Sequence, residues 1–157
     1  MSVGILEPRI SFLRRNCRGD EAQIEIGNRS EPRHLPSLRS AAASGGGCEA
    51  GRTVVGWGSL SAYHVRSAYR RTVENSVYVH HQPHRRGVGS MLLEELIVCA
   101  RQLGHHAIIA GIDAEQTASV ALHAKFRFEQ VGHLKQIGFK FNRWLDEIYM
   151  ELMLDTA

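Results

Sequence analysis

Cysteine is scarce in this chain of 157 residues: Cys17, Cys48 and Cys99 are the only three. They are too few and too scattered for a disulfide framework or a Cys-rich metal site, so no metal is expected and a reducing cytoplasm is the expected compartment. No apolar run approaches the ~20 residues a membrane span needs. The opening Met1-Ser2-Val3-Gly4-Ile5-Leu6-Glu7-Pro8-Arg9 lacks the basic stretch and long apolar core of a secretory leader. No contact with a membrane is expected. Lysine is limited to Lys125, Lys135 and Lys140, and the remaining basic residues are arginines. The formal net charge is only +3 and the pI about 9.0. Lys and Arg alternate with Asp and Glu, without the basic face and interleaved aromatics of a nucleic-acid binder. A modest positive balance suits a small polyanion better. Hydrophobic residues at 43% and charged residues at 22% complete the profile of one ordinary globular domain.

The chain divides near residue 53. Residues 1–52 hold no Trp, no Tyr and a single Phe, Phe12. Their run Ser40-Ala41-Ala42-Ala43-Ser44-Gly45-Gly46-Gly47 reads as a flexible, low-complexity stretch. Only Ala22-Gln23-Ile24-Glu25-Ile26 alternates like a strand. Much of this segment is expected to be loosely packed or irregular.

Residues 53–157 carry clear periodicity. Thr53 to Leu60 and Thr72 to His80 read as strands, and Pro83 breaks the chain after them. Val88, Leu92, Leu96 and Ala100 share one helical face, flanked by Leu93, Ile97 and Leu103. Gly104 fits a helix C-terminus. Ala107 to Ile112 is a short apolar run of buried-strand type. Thr117 can cap a helix reaching about Phe126. Phe128 to Ile137 and Glu147 to Leu154 complete the pattern as a strand pair. The order β-β-α-β-α-β-β makes the fold a mixed α/β domain.

The segment His84-Arg85-Arg86-Gly87-Val88-Gly89-Ser90 joins a strand to a helix. Glycines there let a polyanion approach the backbone, and the free N–H groups of the first turn favour negative charge. Arg85 and Arg86 add charge-assisted contacts, and Ser90 adds a hydroxyl. A dinucleotide fingerprint needs a third glycine, and a Walker loop needs Gly-Lys-Ser/Thr; neither is present. The physical expectation is phosphate or pyrophosphate. A helix start whose glycines serve packing is the alternative.

His84-Arg85-Arg86-Gly87-Val88-Gly89 resembles the Q/R-x-x-G-x-G/A motif of the GNAT N-acetyltransferases. Thr72-Val73-Glu74-Asn75-Ser76-Val77-Tyr78-Val79 resembles the preceding strand of the phosphinothricin and methionine sulfoximine acetyltransferases. Asp113 to His123 is similar to their D-x-x-N-x-x-S-x-x-L-H segment, and Lys140 to Asp146 to their K-F-G-R-W-L-D loop. The resemblance covers about residues 53–154. It departs at His84, Gln116, Arg127 and Phe139, and residues 1–52 show no match to the family's first strand and two helices.

The resemblance implies an α+β fold with a mostly antiparallel central sheet flanked by helices. It implies a single acetyltransferase domain over residues 1–157, with 1–52 an atypical N-terminal part and 53–157 the acetyl-CoA-binding core. The implied reaction is direct acetyl transfer from acetyl-CoA to the amino group of a small amino-acid-like substrate, in a homodimer. Glu74 is then the expected general base, helped by a pKa raised through partial burial. His123 is expected to protonate the leaving thiolate or to hydrogen-bond the cofactor. Val79 offers an N–H to the thioester oxygen. Val77 and Tyr78 are expected to pair with the pantetheine arm. His84, Arg85, Arg86, Gly87, Val88, Gly89, Ser90 and Gln116 are expected to hold the rest of the cofactor. His64, Val65, Arg66, Tyr69 and Arg71 lie on a loop that could reach the acceptor. A non-catalytic CoA-binding remnant and, in a different class, a nucleic-acid-binding module are the alternatives.

Overall fold

The computed structural model describes residues 12–18, 20–29, 52–80 and 87–154. Alternation of apolar and polar side chains builds seven strands into one sheet: β1 (Phe12–Arg18), β2 (Glu21–Arg29), β3 (Arg52–Ala62), β4 (Thr72–Val79), β5 (Ala107–Asp113), β6 (Glu129–Lys140) and β7 (Arg143–Met153). Their spatial order is β1-β2-β3-β4-β5-β7-β6. Every pairing is antiparallel except β4 with β5, which run parallel. The fold class expected from the sequence is the one observed.

Two helices accompany the sheet, α1 (Val88–Gln102) and α2 (Thr117–Lys125). The apolar stripe of α1 is fully used: Val88, Leu92, Leu93, Leu96, Ile97 and Ala100 are buried. It presses on β3 where that strand carries Gly56 and Gly58. A methyl group at Gly56 would meet Val88 at 2.5 Å, and one at Gly58 would meet Leu96 at 3.0 Å. The two strand glycines thus set how closely the helix lies on the sheet. Gln116, rather than Thr117, occupies the N-cap of α2, and no side chain caps it.

The N-terminal segment departs from expectation. β1 and β2 form a hairpin that extends the sheet, and Ala22, Ile24 and Ile26 are buried in the common core. Alternation over five residues suffices, because α1 covers that face of β2. The Ser40–Gly47 run lies outside the described residues.

A second departure concerns the cysteines. Cys17 on β1 and Cys99 on α1 are joined by a disulfide across 82 positions of sequence. Scatter along the chain says nothing about proximity once a strand and a helix are packed together. The segment from Arg143 to Asp146, expected as a loop, is strand as well: the β6–β7 hairpin runs to a two-residue turn at Phe141-Asn142, both with positive φ. Among the described residues, no helix is long and apolar enough to cross a membrane.

Candidate active site

The site begins where two strands separate. β4 and β5 pair only from Thr72 with Ala107 to Glu74 with Ile109. Beyond that point the strands diverge around a cleft of about 510 Å³. Its walls include Asn75, Val77, Val79, Gly111, Gln116 and His123. On its other edge β4 stays bonded to β3. Tyr63 N–H donates to the Thr72 carbonyl, and His80 N–H to the Val55 carbonyl. Antiparallel pairing alternates, so Thr72, Glu74, Ser76 and Tyr78 turn their N–H and C=O groups to β3. Val77 and Val79 turn theirs into the cleft. Tyr78 points its ring to the sheet face opposite α1, where it stacks on Trp57 at 5.5 Å between centroids.

Beside Val79, whose side chain would lie 3.7 Å from a methyl at Gly89, α1 starts at Gly87, whose φ of 76° is in the left-handed region. The first intrahelical bond runs from Met91 N–H to the Gly87 carbonyl. The N–H groups of Val88, Gly89 and Ser90 therefore have no intrahelical acceptor. The Val88 side chain goes into the core, and Lys125 Nζ reaches Ser90 Oγ at 3.5 Å. His84, Arg85 and Arg86 lie outside the described residues.

The α2 wall contributes His123, which is 3% exposed. Its Nδ1 lies 2.8 Å from the Ser119 carbonyl oxygen, and its Nε2 lies 3.0 Å from Asn75 Nδ2. The carbonyl can only accept, so Nδ1 carries the proton and Nε2 accepts from Asn75. Burial lowers the imidazole pKa from its ordinary value, opposed in part by the bond to Ser119. The ring also meets Phe128 edge-on at 5.0 Å. Asn75 Oδ1 is buried without a hydrogen-bond partner among the described residues.

Glu74 lies on the other face of the sheet, half-buried. Burial raises its pKa first, and the nearby Glu147 carboxylate raises it further. Glu147 and Tyr149 come from β7, opposite Asp113 and Gly111 of β5. The loop after β3 holds His64, Val65, Arg66 and Tyr69 in exposed positions around a single 3₁₀ turn, Ser67–Tyr69, and Arg71 is exposed beyond it. Tyr63, His64 and Tyr69 form a ring cluster, with centroids 4.6, 5.1 and 6.1 Å apart. Tyr63, Asn75, Glu147 and Tyr149 went unnoticed as site candidates in the sequence. Only the β5–β7 register, which no local pattern reveals, brings Glu147 and Tyr149 to Glu74. Among the described residues, no group of three or more His, Cys, Asp or Glu could hold a metal ion.

The family model described as "Acetyltransferase (GNAT) family" matches residues 14–128. The chain belongs to the GNAT acetyltransferase family. The match reaches back over the β1–β2 hairpin, further than the motifs legible by eye. Over 102 residues the chain is 41% identical to the L-methionine sulfoximine/L-methionine sulfone acetyltransferase of Salmonella typhimurium, covering 65% of this chain and 60% of that protein. Over 105 residues it is 41% identical to the phosphinothricin N-acetyltransferase of Alcaligenes faecalis, covering 66% and 53%. A GNAT superfamily phosphinothricin acetyltransferase from Sinorhizobium meliloti, solved in complex with AcCoA, matches with a TM-score of 0.67 and 31% identity. That match covers 85% of this chain and 61% of the other. This GNAT chain spans about three fifths of the length of curated relatives such as the Salmonella protein.

The residues present fit an acetyl-CoA thioester. The splayed strands leave backbone donors and acceptors for an extended amide chain, the unsatisfied Asn75 Oδ1 is a free acceptor, and the start of α1 offers three N–H groups to phosphate.

Proposed function

We propose that this protein is an acetyl-CoA-dependent N-acetyltransferase acting on the amino group of a small amino-acid-like substrate, of the methionine sulfoximine or phosphinothricin type. One observation carries the reading. The β4–β5 divergence turns Val77 and Val79 into a cleft whose Gly111 wall borders the Glu74 carboxylate. The pantetheine arm would lie along β4 as an added strand, bonded by the main chain of Val77 and Val79. The pyrophosphate would rest on Gly87, Val88, Gly89 and Ser90, with His84, Arg85 and Arg86 as charge partners and Gln116 at the rim.

The chemistry needs no covalent enzyme intermediate. The amine nitrogen attacks the thioester carbonyl while its proton passes to Glu74. Val79 N–H donates to the oxygen as negative charge develops there. Collapse breaks the C–S bond, and the thiolate takes its proton from water. His123, neutral with Nε2 accepting, fits a positioning role through Asn75 better than that of an acid.

His64, Val65, Arg66, Tyr69 and Arg71 would face the acceptor, an arginine pairing with its carboxylate. We treat residues 1–157 as one acetyltransferase domain, with 53–157 as its cofactor core. A second copy of the chain is the expected partner. Exposed Val131, Ile137, Phe139, Phe141 and Trp144 on the β6–β7 hairpin support that reading. We place the enzyme in the cytoplasm; the Cys17–Cys99 disulfide is the one described feature that runs against a reducing compartment.

The test is release of free CoA thiol from acetyl-CoA with a panel of amino acids and their analogues. Amine-dependent release supports the enzyme. CoA binding without release from any amine supports the non-catalytic remnant.

A further inference from the structure

The face of the sheet opposite α1 holds a second carboxylate beside the base. Asp113 pairs with Glu147, and Gly111 with Tyr149, so both β7 side chains emerge on the face that Glu74 occupies. A methyl group at Gly111 would lie 2.5 Å from Glu147 Oε1 and 3.5 Å from Glu74 Oε1. The two carboxylates therefore converge over the one position in β5 that lacks a side chain. The Tyr149 hydroxyl donates a hydrogen bond to Glu147 and holds it there.

We propose that Glu147 is a positioning residue for Glu74: anchored by Tyr149 over Gly111, its charge makes Glu74 a stronger proton acceptor in acetyl transfer. The statement about catalysis rests on the function proposed above; the statement about the pair does not. The physical cause is like charge across a short, half-buried gap. It acts together with burial, the larger influence on Glu74. Among the described residues, the other titratable groups on this face include Asp113, directly opposite Glu147. Glu151 sits opposite Ile109 on β7, and Tyr63 interacts with Tyr149 from the end of β3. From β3 itself, Ser61 stands opposite Glu74, and β5 offers only Ile109 and Gly111 before Asp113.

A stronger base is also a liability. Glu74 gains driving force for taking the ammonium proton, but it is itself protonated at a higher pH. Removing the Glu147 charge should weaken the base and widen the acidic range in which it stays ionised.

The test uses the full chain, with the Glu74 carboxyl followed by carbon NMR in ¹³C-glutamate protein and assigned by its loss in Glu74→Gln. In Glu147→Gln, the Glu74 titration should move to lower pH by about half a unit or more, as expected for a unit charge a few ångströms away. Glu147→Asp keeps the charge but draws it back, and should leave Glu74 between the two. A role limited to packing would move neither titration. In kinetics, Glu147→Gln should shift the acidic limb of kcat/KM downward in parallel, lower the plateau, and leave KM for acetyl-CoA unchanged. An unmoved Glu74 titration overturns the proposal. A moved titration with an unmoved limb overturns its catalytic part. A moved titration in a protein that turns over no amine supports the pair and refutes the enzyme.

Discussion

His123 Nε2 accepts a hydrogen bond from Asn75 Nδ2 at 3.0 Å, and the bond from Nδ1 to the Ser119 carbonyl fixes which ring nitrogen carries the proton. A side chain of α2 thereby locks a side chain of β4 at the wall of the cleft. Protonating the ring would set a second N–H against the Asn75 amino group, unless the carboxamide turned over.

This pairing predicts a pH effect on stability. Burial lowers the folded-state pKa of His123 below the ordinary 6.5. Between the two values the unfolded chain binds the proton and the folded chain does not, so stability is lost as pH falls through that window. Urea midpoints of the wild type should decline as pH drops below the ordinary histidine value, and His123→Phe should flatten that decline. An equal slope in both proteins would mean that His123 is not held neutral.

For Glu74 the sign is reversed. Its pKa is raised by burial and by Glu147, so the folded state binds the proton more readily than the unfolded chain. Stability is then lost as pH rises from the ordinary carboxyl value through the raised one. Glu74→Gln should unfold at higher urea than the wild type at pH 7, yet its turnover should fall by roughly 10²–10⁴ if Glu74 is the base. Near-normal turnover in a folded Glu74→Gln protein would assign the proton to another acceptor.

Much of this was legible beforehand, for identifiable reasons. The stripe from Val88 to Ala100 has the helical period and lies buried as expected. Glu74 and Val79 sit in a strand whose alternation is plain, so their opposite directions could be read directly. Glu147 and Tyr149 could not be found that way. Their approach to Glu74 depends on β7 inserting between β5 and β6, a long-range choice of register. β2 shows its alternation at Ala22 to Ile26, but β1 does not, because Phe12 to Arg18 carries Arg14, Arg15 and Arg18 and no apolar alternation announces it. It is held by pairing with β2, by the Cys17–Cys99 bond, and by the ion pair of Arg15 with Glu95 on α1.

The turn at the start of α1 makes a prediction about cofactor affinity. Gly87 combines positive φ with space around it: among the described residues, nothing lies within 4 Å of a methyl placed there. Gly87→Val should project a branched side chain to where the pyrophosphate is expected. CoA affinity should fall at least tenfold, about 1.4 kcal/mol, measured by calorimetry on protein shown to be folded. Unchanged affinity would remove the phosphate from this turn.

Arg127, following α2, adopts φ of 66°, a left-handed conformation that costs a residue bearing a Cβ about 1–2 kcal/mol. The backbone still closes the helix, with Arg127 N–H donating to the Ala124 carbonyl and Phe128 N–H to the His123 carbonyl. Arg127→Gly should therefore raise the urea midpoint, with a gain on the order of 1 kcal/mol. A loss of stability would show that the arginine side chain makes contacts worth more than the strain.

The most direct test joins turnover to binding in one pair of proteins. Free CoA thiol is followed with acetyl-CoA and methionine sulfoximine or phosphinothricin for the wild type and Glu74→Gln, alongside CoA titration of both. The account predicts amine-dependent thiol release by the wild type, at least a hundredfold slower release by Glu74→Gln, and equal CoA affinity in the two. CoA binding by a wild type that releases no thiol with these or any other small amine would contradict it.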